Sequence, residues 1–195
     1  FTVSYYSGGD DLDLRLPFDL SLDFSYWLRP ADLFFEIDQN WGNRIFSSRY
    51  QRLISNRLFL TATGFRSTYS AKEETFIRPT QSAFVRSDYT VDLEDLGAQI
   101  DLDYYPSIDH QIRTGISVTQ HHFGSSIDAV VAYSPNLIEP LLESSYSKTV
   151  ELAVYLQDYW RPATSWTLMP GIRLSYFGKG GHFRASPRLT AQYAP

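Results

Sequence analysis

From Glu94 the chain reads EDLGAQIDLDYY, and every second residue is apolar: Leu96, Ala98, Ile100, Leu102 and Tyr104. Between them stand Asp95, Gly97, Gln99, Asp101, Asp103 and Tyr105. Successive side chains of a β-strand point to opposite faces, so this stretch predicts a strand with one dry face and one strongly polar face. The pattern returns. Ile112, Thr114, Ile116 and Val118 alternate with Arg113, Gly115, Ser117, Thr119 and His121. Val150, Leu152, Val154 and Leu156 share a parity, as do Trp166, Leu168, Pro170, Ile172, Leu174 and Tyr176. Near the end, Phe183, Ala185, Leu189, Ala191 and Tyr193 oppose Arg184, Ser186, Arg188, Thr190 and Gln192.

Length decides what such strands can be. Each runs for roughly 10 to 14 residues, against about 5 or 6 for an ordinary soluble strand. A strand of about 12 residues is roughly 40 Å long, and tilted by about 45° it covers roughly 28 Å of height, close to the hydrocarbon thickness of a bilayer. The connections also have a rule. Strands are expected at about 41–53, 57–69, 90–105, 111–123, 149–160, 166–177 and 183–194, after a partial one at 1–6. Short turns fall at Ser55-Asn56, at PSIDH (106–110) and at RPATS (161–165), with GKGG (178–181) moderately short. Longer polar segments at about 7–39, 70–91 and 124–147 read as loops. Alternation of short turns and long loops is the habit of outer-membrane barrels, with the short turns on the periplasmic side. The expected fold is all-β: an antiparallel up-and-down transmembrane β-barrel segment of about eight strands.

Composition agrees with that reading. Aromatic residues make up 16% of the 195, led by 14 Tyr, which suits surfaces meeting both lipid and water. No run of apolar residues is long enough for a transmembrane helix, and a strand that shows lipid only every second residue keeps mean hydropathy low. Cys is absent, which excludes a disulfide scaffold and a thiolate metal site. A net charge of −5 and the lack of any basic cluster argue against a nucleic-acid partner. The chain starts at Phe1, holds a single Met at 169 and shows no leader pattern. It therefore reads as an internal fragment or an excised piece.

The apolar parity is assigned to lipid and the polar parity to a wet lumen. Lumen-facing candidates, with a structural role, are Asp95, Gln99, Asp101, Asp103, Arg113, Glu151, Gln157, Arg173, Arg184 and Arg188. Counting from the turns sets Arg113 against Asp101 or Asp103, and Glu151 near Arg173. An interfacial aromatic girdle is expected beside the short turns, from Tyr50, Tyr104, Tyr159, Trp160 and Trp166, with Tyr105 close by. Pro170 and Pro187 fall inside good strands and predict a bulge or a break. The faces of 57–69 stay unassigned, because Leu58, Phe59 and Leu60 are continuous.

Several stretches look like known sequences. Residues 41–70, 100–123 and above all YLQDYWRP, PGIRLSYF and SPRL within 150–193 resemble the barrel of TonB-dependent outer-membrane receptors, in the style of the Bacteroidota. The resemblance covers well over half of the chain. It implies a barrel of about 22 strands closed around a plug and gated by the TonB system, of which 1–195 would be one partial β-barrel domain, an arc of about eight strands without the plug. It further implies energised import of a scarce nutrient (an iron chelate, a vitamin or an oligosaccharide) across the outer membrane of a Gram-negative cell. Expected partners are outer-membrane lipid, the plug and the TonB system; no ligand residue carries over by motif.

Other chemistry is weak. His121 and His122 are adjacent on a strand and face apart, so they cannot share an ion. Asp10, Asp11 and Asp13 lack the glycine and terminal glutamate of an EF-hand loop. Neither a G-x-S-x-G elbow nor an H-E-x-x-H motif occurs, so no enzyme, cofactor or metal is expected. The apolar patch 127–142 could form a short strand pair over the lumen or meet a ligand or partner lipoprotein, with plain loop packing as the simpler reading. The alternative to the membrane reading is a soluble β-sandwich binding module, with carbohydrate as a candidate ligand.

Overall fold

The structure is a computed structural model that describes residues 1–18, 33–80, 83–134 and 137–194. All regular structure among them is strand: β1 (Thr2–Phe18), β2 (Leu33–Ser55), β3 (Leu58–Thr80), β4 (Ala83–Tyr104), β5 (His110–Ser134), β6 (Leu137–Ala163), β7 (Trp166–Phe177) and β8 (His182–Tyr193). The strands pair antiparallel in chain order to make one 8-stranded sheet. Among the described residues β1 and β8 do not touch. Among those residues the sheet is therefore open, with two free edges, and no second sheet packs against it. That geometry corrects the sandwich alternative, which needs two facing sheets.

The long connections expected at 7–39, 70–91 and 124–147 are mostly strand instead. β3 continues to Thr80, β4 begins at Ala83, β5 continues to Ser134 and β6 begins at Leu137. The sequence hid these extensions for a physical reason. Alternation marks a strand only where one face is dry, and here both faces carry polar groups. Ser70, Lys72 and Glu74 lie on one face of β3, with Glu73 and Thr75 on the other. The backbone ladder forms regardless. β5, at 25 residues, is roughly 80 Å long, and at a tilt of about 45° rises roughly 58 Å, about twice the hydrocarbon thickness. The apolar patch becomes the upper β5–β6 hairpin, with Ile127 opposite Glu143 and Ala129 opposite Leu141. The expected loop residues Asp19, Asp23 and Pro30 lie outside the described residues, as does Pro135.

The short turns gather at the other end, where hydrogen bonds tie them together. Tyr105 N–H donates to Arg57 O at 2.8 Å, and Arg161 N–H to Asp109 O at 2.8 Å. The GKGG turn joins β7 to β8 at the opposite end, and in it Gly180 and Gly181 have φ of 84° and 64°. That left-handed region favours glycine over any residue with a Cβ. Pro170 interrupts the β6–β7 ladder opposite Asp158 and Tyr159 without changing register, and a register shift follows between Trp160 and Ala163. Pro187 breaks nothing: it pairs with Ile172 on the edge strand β8, whose other side has no strand among the described residues.

The two faces differ in packing. In the lower half of the sheet the least exposed residues are Gly97, Asp103, Ala153, Gln157 and Ser175, all of polar parity. Leu96, Ile100, Ile116, Val154 and Leu156 on the other face stay 43–53% exposed. Side chains crowd on the concave side of a curved sheet and spread on the convex side. The polar face is therefore the inside of the curve. Registers also settle 57–69: Leu58, Leu60, Ala62 and Gly64 share the apolar face, and Phe59, Thr61, Thr63 and Phe65 the polar one.

Candidate functional site

Cross-strand partners share a face, so the ladders show how the polar wall is put together. One row runs Asp103, Arg113, Gln157, Gly171 and Arg188. The next runs Asp101, Gly115, Tyr155, Arg173 and Ser186. A third holds Gln99, Ser117, Ala153, Ser175 and Arg184. Glu151 lies opposite Thr119, and Asp95 opposite His121. Every side chain expected on the polar wall thus falls on one face.

Contacts along these rows join opposite charges and dipoles. Arg113 Nε donates to Asp103 Oδ1 at 2.7 Å, and Arg188 donates to Gln157 Oε1. Gln99 Nε2 and Tyr155 Oη both donate to Asp101 Oδ1, at 2.7 and 2.5 Å. His121 Nδ1 is 2.7 Å from Asp95 Oδ1, and its Nε2 is 3.7 Å from Glu151 Oε2. Arg173 reaches Glu151 at 3.5 Å. Arg113–Asp103 is the pair with most at stake, because the Asp103 side chain is only 13% exposed. Leaving such a carboxylate without its donor costs about 1–3 kcal/mol. Arg184 reaches none of these groups from β8.

Sequence reasoning missed the residues that make the wall close-packed. The Tyr155 ring lies over Gly115, where an added Cβ would stand 2.6 Å from the ring and 2.8 Å from the Ile100 carbonyl oxygen. Phe65 covers Gly97 in the same way, at 2.3 Å from an added Cβ. Each is an aromatic side chain directly opposite a glycine. Counting residues outward from the turns would have found both.

The aromatic candidates divide. Tyr50, Tyr104, Trp160 and Trp166 fall on the apolar face and are exposed. Trp160 stacks on His110 at 5.8 Å between centroids and 9° between planes, and His110 Nδ1 is 2.6 Å from Asp158 Oδ2. Trp166 lies 5.0 Å from Tyr193. Tyr159 is different. It pairs with Gln111 on the polar face and lines a cavity of about 470 Å³ with Arg57, Tyr105, Gln111 and Arg161. Strand parity turns it away from the girdle expected for it.

Higher up, on the convex side, carboxylates meet in a row. Asp13, Asp38, Glu74, Asp88 and Asp128 stand opposite one another across β1 to β5. Arg15 contacts Asp13 and Glu36, and Arg86 lies within 3.8 Å of Glu74 and Asp88. A hydrogen bond from Lys72, reinforced by its charge, holds Glu74 below the ordinary carboxylate range. Asp10 faces the other way from Asp11 and Asp13, so the three cannot surround one ion.

Comparison with protein families gives a match along the whole chain, residues 1–195, to the family described as TonB dependent receptor-like, beta-barrel. Comparison with curated proteins gives no match. Among solved structures the chain is similar to the outer membrane transporter YddB from Escherichia coli, at 11% sequence identity and a TM-score of 0.37. That likeness covers 97% of this chain and 36% of the transporter, so the chain spans about a third of that protein's length. The family match leaves no strand of the sheet outside it, and the chain belongs to the TonB-dependent receptor-like β-barrel family.

Proposed function

We propose that residues 1–195 are a partial barrel domain, an arc of the wall of an outer-membrane receptor that imports a scarce nutrient. The remaining strands and the plug belong to the complete receptor, and the TonB system drives import. The single observation that carries this reading is the whole-length family match. The two-faced sheet supports it. An apolar face this broad would be costly in water and is favourable against lipid. Side chains such as Ile116 and Leu156 would each cost about 1.5–3 kcal/mol to leave in water rather than bury. The polar face then lines the lumen, and its paired charges hold a wall that must stay open to water. Its role is transport and not catalysis.

The test is uptake by cells carrying the complete receptor. A ferric chelate, cobalamin and neutral oligosaccharides are offered with TonB present or deleted. The reading expects accumulation of one of them that needs both the receptor and TonB. Accumulation unchanged by TonB deletion would contradict energised import.

A further inference from the structure

Above the Asp95–His121 row the polar face changes character. Trp41 stands opposite Ala71, and Ala71 opposite Val91. Tyr69 and Glu73 flank Ala71 on β3, two residues to either side. Gln39 pairs with Glu73, and Glu73 with Tyr89. Large side chains therefore surround a small floor at Ala71 and border a cavity of about 310 Å³, within the size range of small-ligand sites. Gln39 Nε2 donates to Glu73 Oε2 at 2.5 Å, which fixes a carboxylate and an amide at the rim.

We infer that this cavity binds an uncharged, polyhydroxylated ligand, an oligosaccharide. The inference rests on the import reading and names its substrate class. Tyr69 and Tyr89 are 36% and 39% exposed and both border the cavity. Aromatic faces stack on apolar C–H surfaces, which a sugar ring offers alongside its hydroxyls. The Glu73 carboxylate accepts hydrogen bonds from hydroxyls, and the Gln39 amide both donates and accepts. Charge selects among the nutrient classes. From the Asp95–His121 row to the hairpin tips, the polar face of β1 to β6 carries no Lys or Arg among the described residues. It does carry Asp10, Glu73, Glu139 and Glu143. An anionic iron chelate would meet the Glu73 carboxylate at the cavity and no lysine or arginine of the polar face, whereas a neutral sugar meets no such repulsion. By register the nearby cations Arg66, Lys72, Arg86 and Lys148 all lie on the convex face; Lys72 also borders the cavity, and its Nζ donates to Glu74 on that convex face.

Calorimetry on the complete, detergent-solubilised receptor tests this. The probes are neutral hexaoses of glucose, xylose, mannose, galactose and fructose, an anionic ferric catecholate complex, and trilysine. One hexaose should bind. Trp41→Ala and Tyr89→Ala should each weaken it about tenfold. Trp41→Phe should hold it within about threefold, and Lys148→Ala, on the opposite face, should leave it unchanged. The inference is overturned if no hexaose binds, if binding ignores both Trp41 and Tyr89, or if the ferric complex or trilysine is the probe that needs Trp41. Uptake separates the two readings. TonB-dependent import of the ferric complex would sink the sugar assignment and keep import. A hexaose that binds through Trp41 but never enters cells would keep the site and sink import.

Discussion

Single side chains in the polar wall differ in what they hold. Asp103 is enclosed and depends on Arg113, while Glu94 and Arg66 meet at 2.7 Å on the convex face with the arginine 59% exposed. Arg113→Ala should therefore destabilise the complete barrel by about 1–3 kcal/mol in urea unfolding, and Arg66→Ala by about 1 kcal/mol or less. Equal effects would mean that the enclosure of Asp103 has no energetic weight. Gly115 is constrained from three sides, by Asp101, Tyr155 and the Ile100 carbonyl oxygen. Gly115→Val should cost about 1–3 kcal/mol as an overpacked site, read as loss of the heat-modifiable folded band on gels; a fully folded variant would contradict the close approach. The parity of Asp95, Asp101, Arg113 and Glu151 could be read from the sequence, because alternation with apolar residues is strict there. Tyr159 shares the parity of Glu151 and Gln157 on an unbroken β5–β6 register, so its polar face was legible by the same count; its closeness to the turn pointed instead to the girdle.

Whole strands show why half of the architecture was hidden. On the proposed membrane reading, alternation reports contact with lipid and ends where lipid ends, although the hydrogen-bonded ladder does not. β3 pairs with β4 from Leu58–Tyr104 as far as Thr80–Ala83. The polar run around Lys72 and Glu74 reads as loop only because neither face needs to be dry. These extensions carry their own electrostatic strain. Adjacent strands are about 4.8 Å apart, well within the screening length of about 10 Å at 0.1 M salt, so like charges directly opposite repel. Arg86 sits between Glu74 and Asp88 and offsets that repulsion. Arg86→Ala should speed amide hydrogen exchange in the upper β3–β4 hairpin and leave the lower half of both strands protected. Unchanged exchange in that hairpin would show that the acidic row needs no counter-charge.

Among the described residues the molecule is one curved sheet with a polar concave face in its lower half, an apolar convex face there, and two unpaired edges at β1 and β8. Free edges bind further strands. Residues 1–195 expressed alone should therefore associate in detergent and not run as a sharp monomer, as light scattering can show. The central claim is the assignment of faces, and β5 gives the cleanest place to test it. Cys is absent from the 195 residues, so single cysteines can be placed along β5 in an otherwise cysteine-free receptor. Each is labelled with a fluorophore and exposed first to a lipid-borne quencher, then to a water-soluble one. Labels at Ile112, Ile116 and Val118 should be quenched from lipid, and those at Arg113, Ser117 and Thr119 from water. Quenching without a two-residue period, or with the faces reversed, would contradict the account.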